Sequence, residues 1–397
     1  MHNFHKEILP NGATLLCDNR QIPIATIFIA TRFGSAYEPL QHKGIAHFIE
    51  HMLFKGTKKR SAKQINHEIE SVGGEINAFT NYQITAVYAK MPRKHFGRGM
   101  DVVSDMVHNS VFNPRELEKE RSVIFEEIKR RHDTPTQYVI SKLKEMLYAP
   151  PFGLTRLGTV ESLSNIKRQT MLDYYSYYSP ENLVIAVVGD IPISEIKREV
   201  MKSVKKTRST ILPILVPKLQ LKNHTETRKE LQQAHVTLGF HAPTLSQKER
   251  YAAEIFDCVL GRGMSSRLWQ EIREKRGLAY TAHSYLLQER DYGFEVAYIG
   301  TGKDKIKEVK DITLQQIKLL QHVGQKEVDD AKENLIGSHE VASEKSEEIA
   351  VNLLLNEIAT DAGEYYKYPE RISEVKLEEV RQMARIKGYS TVVLSPK

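Results

Sequence analysis

The residues best suited to chemistry stand together in His47-Phe48-Ile49-Glu50-His51. In a helix, His47, Glu50 and His51 fall at i, i+3 and i+4 and share one face. Two imidazoles one turn apart can hold a single zinc ion, and the carboxylate beside them can take a proton from a water that the ion activates. The order HxxEH is the reverse of the HExxH zinc helix. Ile45, Phe48, Ile49, Met52 and Leu53 form an apolar face, so the two histidines and the glutamate gather opposite it without a packing reason.

A catalytic zinc site takes three protein ligands and keeps its fourth position for water. The best source of a third ligand is the helix expected after Asn113-Pro114. There Asn113 suits the N-cap, Pro114 the first helical position and Glu116 the capping-box acid. That helix carries Glu120, Glu126 and Glu127, and Glu120 and Glu127, seven residues apart, lie on one face two turns from each other. Glu116, Glu118 and Glu126 read as a solvated charged face.

These residues need a scaffold, and the chain supplies it twice. Strand patterns at Ala13–Cys17 and Ile22–Thr31 precede helical patterns at Ile45–Phe54 and Ser61–Val72. Gly73-Gly74 stops the second helix, and Ile76–Tyr88 alternates as one or two strands. Helices are expected over Phe96–His108, Pro114–Arg131 and Thr170–Ser176, and NLVIAVVGD reads as a buried strand. The second half repeats the order: a strand at Ala234–Phe240, helices at Lys248–Leu260 and Ser266–Lys275, a stop at Gly277, and the strand LAYTAHSYL. Helices over Lys305–His322 and Glu327–Ile349 and a strand at Thr391–Leu394 complete it. An offset of 211 residues aligns Glu116, Leu117, Arg121 and Ile124 with Glu327, Val328, Lys332 and Leu335. The same offset sets Ala331 and Ser338 opposite Glu120 and Glu127, and the second half has no HxxEH. One half keeps a whole metal constellation and the other keeps only its scaffold. The expected fold is α+β: two topologically similar α/β-sandwich domains, each a mixed, mainly antiparallel sheet packed by helices, related by internal duplication. The expected bounds are 1–206, a linker at 207–230, and 231–397.

The 397 residues are 41% hydrophobic and 27% charged, the balance of a globular chain rather than a disordered or fibrous one. No apolar run approaches the roughly 18–20 residues of a membrane span. Lys6 and Glu7 stand where a signal peptide needs its apolar stretch, and Cys17 and Cys258 are too scattered for a Cys-based zinc site. Both observations favour a reducing, cytoplasmic setting. The net charge of +7 raises nucleic acid as a partner, but the basic residues are interspersed with glutamate and no nucleic-acid motif accompanies them. LGRGMSS lacks the Lys-Ser/Thr ending of a phosphate loop. His42, His67, His95, His108, His235 and His241 have no ligand partners at readable spacing.

HFIEHMLFKGT, followed by ERSVIFEEI at 120–128, resembles the pitrilysin family of inverted-motif zinc peptidases, above all its short bacterial members and the mitochondrial processing peptidase. The resemblance implies a zinc-dependent endopeptidase with one zinc per chain. His47, His51 and Glu127 would be the ligands, Glu50 the general base, and Glu120 the acid supporting a ligand. GGEINAFTNYQITAVYAKM matches the family's active-site edge strand, which implies that Asn77 and Ala78 hold the substrate backbone by β-addition. LGRGMSSRLWQEIREKRGLAY matches a C-terminal segment whose Arg and Tyr, here Arg273 and Tyr280, help bind substrate and polarise the scissile carbonyl. The family also implies peptide or unfolded polypeptide substrates and a homodimer enclosing a chamber. The alternative is a non-catalytic scaffold or partner subunit of a peptidase heterodimer, although such chains lose parts of HxxEH and this one has not.

Overall fold

The computed structural model describes residues 3–205, 212 and 216–397. They form two compact units. In the first, strands β1 (Phe4–Ile8), β2 (Thr14–Asp18), β3 (Ile24–Thr31), β4 (Glu75–Thr80), β5 (Thr85–Pro92) and β6 (Leu183–Gly189) make one sheet in the order β1-β2-β6-β3-β5-β4. In the second, β7 (His224–Arg228), β8 (Ala234–His241), β9 (Ala279–Gln288), β10 (Gly293–Thr301) and β11 (Ser390–Pro396) make another in the order β7-β11-β8-β10-β9. With β1 set aside, the two orders are the same topology. The first strand pairs in parallel with the last (β2 with β6, β7 with β11), and every other pairing is antiparallel. The repeat expected from the sequence is thus a repeat of topology.

Both faces of the first sheet are covered, which is why β6 reads as an unbroken apolar run. One face packs Leu15, Ile27, Ile29, Ile185 and Val187 against helices α1 (Ile45–Leu53), α2 (Ala62–Glu70), α3 (Phe96–Asn109) and α4 (Pro114–Asp133). The other packs Leu16, Phe28, Ala30, Val184 and Ala186 against Ile349, Ala350, Leu353 and Leu354. Those four residues belong to a helix over Ser346–Ala359, far along the chain. Its counterpart under the repeat is α5 (Pro135–Leu147), which lies against β8 and β11 of the second sheet. Gly239 of β8 is needed for that approach, since a Cβ there would come within 2.6 Å of the Leu143 side chain.

Each half therefore lends one helix to the other half's unit. The first unit takes the chain through Ile128, the stretch from Thr155 to the linker, and Ala342–Tyr366; the second takes Lys129–Leu154, the chain from Val216 to Val341, and Lys367–Lys397. This packing is discontinuous in sequence, unlike the linear division at 1–206 and 231–397. Strand β7 falls inside 207–230, the stretch expected as linker; residues 207–211 and 213–215 lie outside the described residues. The helix expected over Glu327–Ile349 is two helices, Gln325–Ala342 and Ser346–Ala359, broken where the chain passes to the other unit. Ser266–Lys275 holds a π-helical turn, Trp269–Glu274. No helix among the described residues is long and apolar enough to cross a membrane.

The second unit buries an acidic pair. Glu295 of β10, 1% exposed, hydrogen-bonds to Asp257 on the helix Arg250–Gly261, and the Ser284 hydroxyl of β9 donates to Asp257, with Arg262 nearby. Burial, then the neighbouring Asp257 charge, pushes the Glu295 carboxyl well above the usual carboxylate range. A carboxyl whose pKa is raised by folding contributes stability that is lost as pH climbs through the folded value. Glu295→Gln cannot ionise, so its melting temperature should gain on wild type over the range of pH from the ordinary carboxylate value upward. Parallel melting curves across that range would show that the pair does not govern alkaline stability.

Candidate metal centre

Helix α1 begins at a tightly defined point. Gly44 adopts φ +96°, and a Cβ there would sit 2.5 Å from the Leu157 carbonyl oxygen. The Glu38 carboxylate accepts the backbone N–H groups of Gly44 (2.9 Å) and Ala46 (2.7 Å), satisfying donors that the helix start leaves open. Lys43 Nζ lies 3.2 Å from Glu38 Oε2 and also donates to the Ser35 carbonyl, and both side chains are buried. Beyond this start, Ile45, Phe48, Ile49, Met52 and Leu53 enter the core as the pattern demands. His47, Glu50 and His51 emerge on the opposite face.

Helix α4 supplies the acids. Leu117 and Ile124 bury its inner stripe, and Arg121 donates to the carbonyls of Leu163 and Ile166 while its guanidinium lies 5.4 Å from the Phe48 ring centroid. So fixed, Glu127 Oε2 stands 3.6 Å from His47 Nε2 and 3.8 Å from His51 Nε2. The donor atoms of His47, His51 and Glu127 all lie within 4.8 Å of one another. Zinc bonds of about 2.0–2.2 Å place tetrahedral ligands about 3.4 Å apart, so two imidazoles and a carboxylate at these separations fit a zinc ion with one position open. Glu120, 7% exposed, reaches His51 Nδ1 at 3.1 Å and Lys55 Nζ at 2.7 Å. Glu116 and Glu118 pair with Lys119 and Arg121 on the outer face, and Glu126 is exposed.

Glu50 Oε2 accepts the Thr80 hydroxyl at 2.5 Å. Burial pushes its carboxyl above the usual carboxylate range, against the downward pull of that hydrogen bond and of the His51 and Arg156 charges. Thr80 ends β4, the edge strand that holds Asn77 and Ala78 opposite Tyr88 and Val87 of β5. The Ala78 N–H donates to Asn77 Oδ1 at 2.8 Å. One strand thus carries both the expected backbone-binding pair and the hydroxyl that steadies Glu50.

Arg273 and Tyr280 stand together in the second unit. The Arg273 guanidinium carbon is 4.9 Å from the Tyr280 ring centroid and 4.0 Å from that of Trp269, and Tyr280 is 78% exposed. Neighbouring Arg276 is instead committed to the Glu271 carboxylate and carbonyl. In the helix matching α4, Ala331 and Ser338 occupy the places of Glu120 and Glu127. Among the other histidines, His42 meets the Tyr174 hydroxyl, His235 that of Tyr298, and His241 the Gln220 carbonyl.

The family profile described as Insulinase (Peptidase family M16) matches residues 14–160, and that described as Peptidase M16 inactive domain matches residues 165–335. The Bacillus subtilis protein named "Uncharacterized zinc protease YmxG" is 33% identical over 401 residues, spanning 97% of each chain. The chain belongs to peptidase family M16. An M16 relative from Rickettsia bellii, also named a zinc protease, is 33% identical and covers 94% of this chain and 91% of its own. The fold agrees with the crystal structure of a protease from Helicobacter pylori, with TM-score 0.92 and 22% identity over the full length of both chains. It agrees equally with a Pseudomonas fluorescens structure titled as a peptidase M16 inactive domain, with TM-score 0.90, 19% identity and coverage of 100% and 98%.

Three residues at this M16 centre escaped the sequence reading: Thr80, Lys55 and Glu38. Lys55 lies inside the motif HFIEHMLFKGT and was the most accessible; Thr80 and Glu38 act through contacts that no local spacing announces. A zinc ion that binds only the folded chain should raise its melting temperature. Zinc at about 100 times its dissociation constant contributes about 2.7 kcal/mol, which corresponds to roughly 5–10 °C for a unit of this size. Glu127→Gln should abolish most of that rise in a calorimetric scan. An equal rise in both proteins would place the metal elsewhere.

Proposed function

We propose that this chain is a zinc-dependent endopeptidase that hydrolyses peptides or unfolded polypeptide segments. The observation that carries this is the convergence of His47 and His51 of α1 with Glu127 of α4, beside Glu50 on the same face of α1 as the two histidines. His47, His51 and Glu127 would hold one zinc ion per chain. Bound there, zinc would polarise the scissile carbonyl and make water a nucleophile near neutral pH.

The remaining work falls to the chain's own groups. Thr80 holds one oxygen of Glu50, leaving the other to accept the proton of the attacking water and return it to the departing amine. Glu120 would accept a hydrogen bond from the Nδ1–H of His51, leaving the Nε2 lone pair free for a metal ion. The open edge of β4 at Asn77 and Ala78 accepts the substrate backbone as an added strand, which favours extended segments over folded ones. On the family resemblance, Tyr280 of one subunit, with Arg273 beside it, would donate to the oxyanion forming at the other subunit's metal centre. The family resemblance supports a homodimer enclosing a chamber. The buried free thiols Cys17 and Cys258 suit a reducing, cytoplasmic compartment.

Glu50→Gln separates the base from the metal. Zinc content should remain near one per chain while hydrolysis of a quenched peptide library falls by about 10²-fold or more. Hydrolysis by the variant at the wild-type rate would contradict the assignment of Glu50. Zinc binding without hydrolysis by wild type would support the partner-subunit alternative.

A further inference from the structure

Lys55 follows α1 by two residues and belongs neither to the ligand set nor to the acidic pair on α4. Its backbone N–H donates to the Met52 carbonyl at 3.1 Å, and Gly56, at φ +108°, turns the chain away immediately afterwards. The side chain is thereby directed across to α4, where Nζ stands 2.7 Å from Glu120 Oε1. The other oxygen of the same carboxylate, Oε2, is the one 3.1 Å from His51 Nδ1. Glu120 is therefore gripped at both ends, by a cation on one oxygen and by an imidazole on the other.

We propose that Lys55 is a positioning residue for the metal centre, acting on His51 through Glu120. A carboxylate only 7% exposed needs a second partner to hold its place without swinging toward solvent. It must also present one fixed lone pair to Nδ1 if the imidazole is to keep the tautomer and ring angle that aim Nε2 between His47 and Glu127. The Lys55 ammonium meets both needs, because charge-assisted contacts at its distance are strong and directional. It also links the end of α1 to the middle of α4, the two helices whose register sets the separations of the three ligands. In the second half Ala331 stands in the place of Glu120, and the counterparts of the ligands are gone with it.

This inference rests on the proposed zinc centre and is tested by metal affinity, independently of hydrolysis. Lys55→Met keeps the apolar stem and removes the charge, and Lys55→Arg keeps the charge. Zinc dissociation constants would be measured for the full-length chain by competition with a chromophoric chelator, alongside melting of the metal-free proteins. Removing such an outer partner typically weakens metal binding 10- to 100-fold, so Lys55→Met should bind zinc at least about 10-fold more weakly. Its metal-free melting temperature should also fall, by an amount that Lys55→Arg restores, since the Glu120 side chain is only 9% exposed and loses one of its two partners. Lys55→Arg should recover most of the affinity. Unchanged affinity in Lys55→Met, with tight binding by wild type, would overturn the role of Lys55 alone. A drop in metal-free stability that Lys55→Arg does not repair would reduce Lys55 to a general packing residue and overturn it too. Failure of wild type to bind zinc would remove the metal centre and this inference together.

Discussion

Two histidines one turn apart on α1 meet a carboxylate from α4 only if the helices are held in register to within about half an ångström. Much of the first unit can be understood from that requirement. The start of α1 is fixed by a buried carboxylate, Glu38, which accepts two of its N–H groups and is neutralised by Lys43. A buried ion pair adds little net stability, and breaking it exposes an uncompensated charge, so it serves better as a locating pin than as a source of stability. From the other side, Arg121 binds two carbonyls and covers the Phe48 ring, bringing α4 to the same core that seats α1. The ligand geometry is a consequence of these anchors.

The sheet beneath the helices is stiffened by the exchange of one helix between halves. The helix at Ser346–Ala359 covers the face that α1 and α3 leave open, and Ser346 Oγ meets Thr26 Oγ1 of β3 at 2.8 Å. With both faces packed, β3, β5 and β6 form a rigid floor, and β4 remains as the edge that can accept an extended chain. Strand β4 and helix α1 are joined at the candidate centre by the hydrogen bond from Thr80 to Glu50.

The sequence carried the local chemistry well and the long-range chemistry poorly. HxxEH, the apolar face of α1 and the seven-residue spacing of Glu120 and Glu127 depend on helical periodicity alone, and all three are readable without a structure. The duplicated α+β order was readable for the same reason. Strand β7, with the sequence HTETR, was not: an edge strand beside a linker buries no apolar face and leaves no alternation to detect. The exchanged helices were missed differently. Helix α5 was not expected at all, and nothing local says that its apolar stripe belongs to the other half's sheet. Thr80, Lys55 and Glu38 come near their targets only after the chain has folded, and each is an ordinary polar residue until then. Topology repaired some of this, since matching β7 to β2 and β10 to β5 follows once the repeat is carried through to every strand.

The most direct test of the central claim is an anomalous difference map, recorded at the zinc absorption edge, from crystals of the protein grown with zinc. The account predicts one strong peak per chain, within about 2.0–2.2 Å of His47 Nε2, His51 Nε2 and a Glu127 oxygen. A peak at any other set of side chains, or none in crystals whose His47, His51 and Glu127 keep the positions described above, would contradict it.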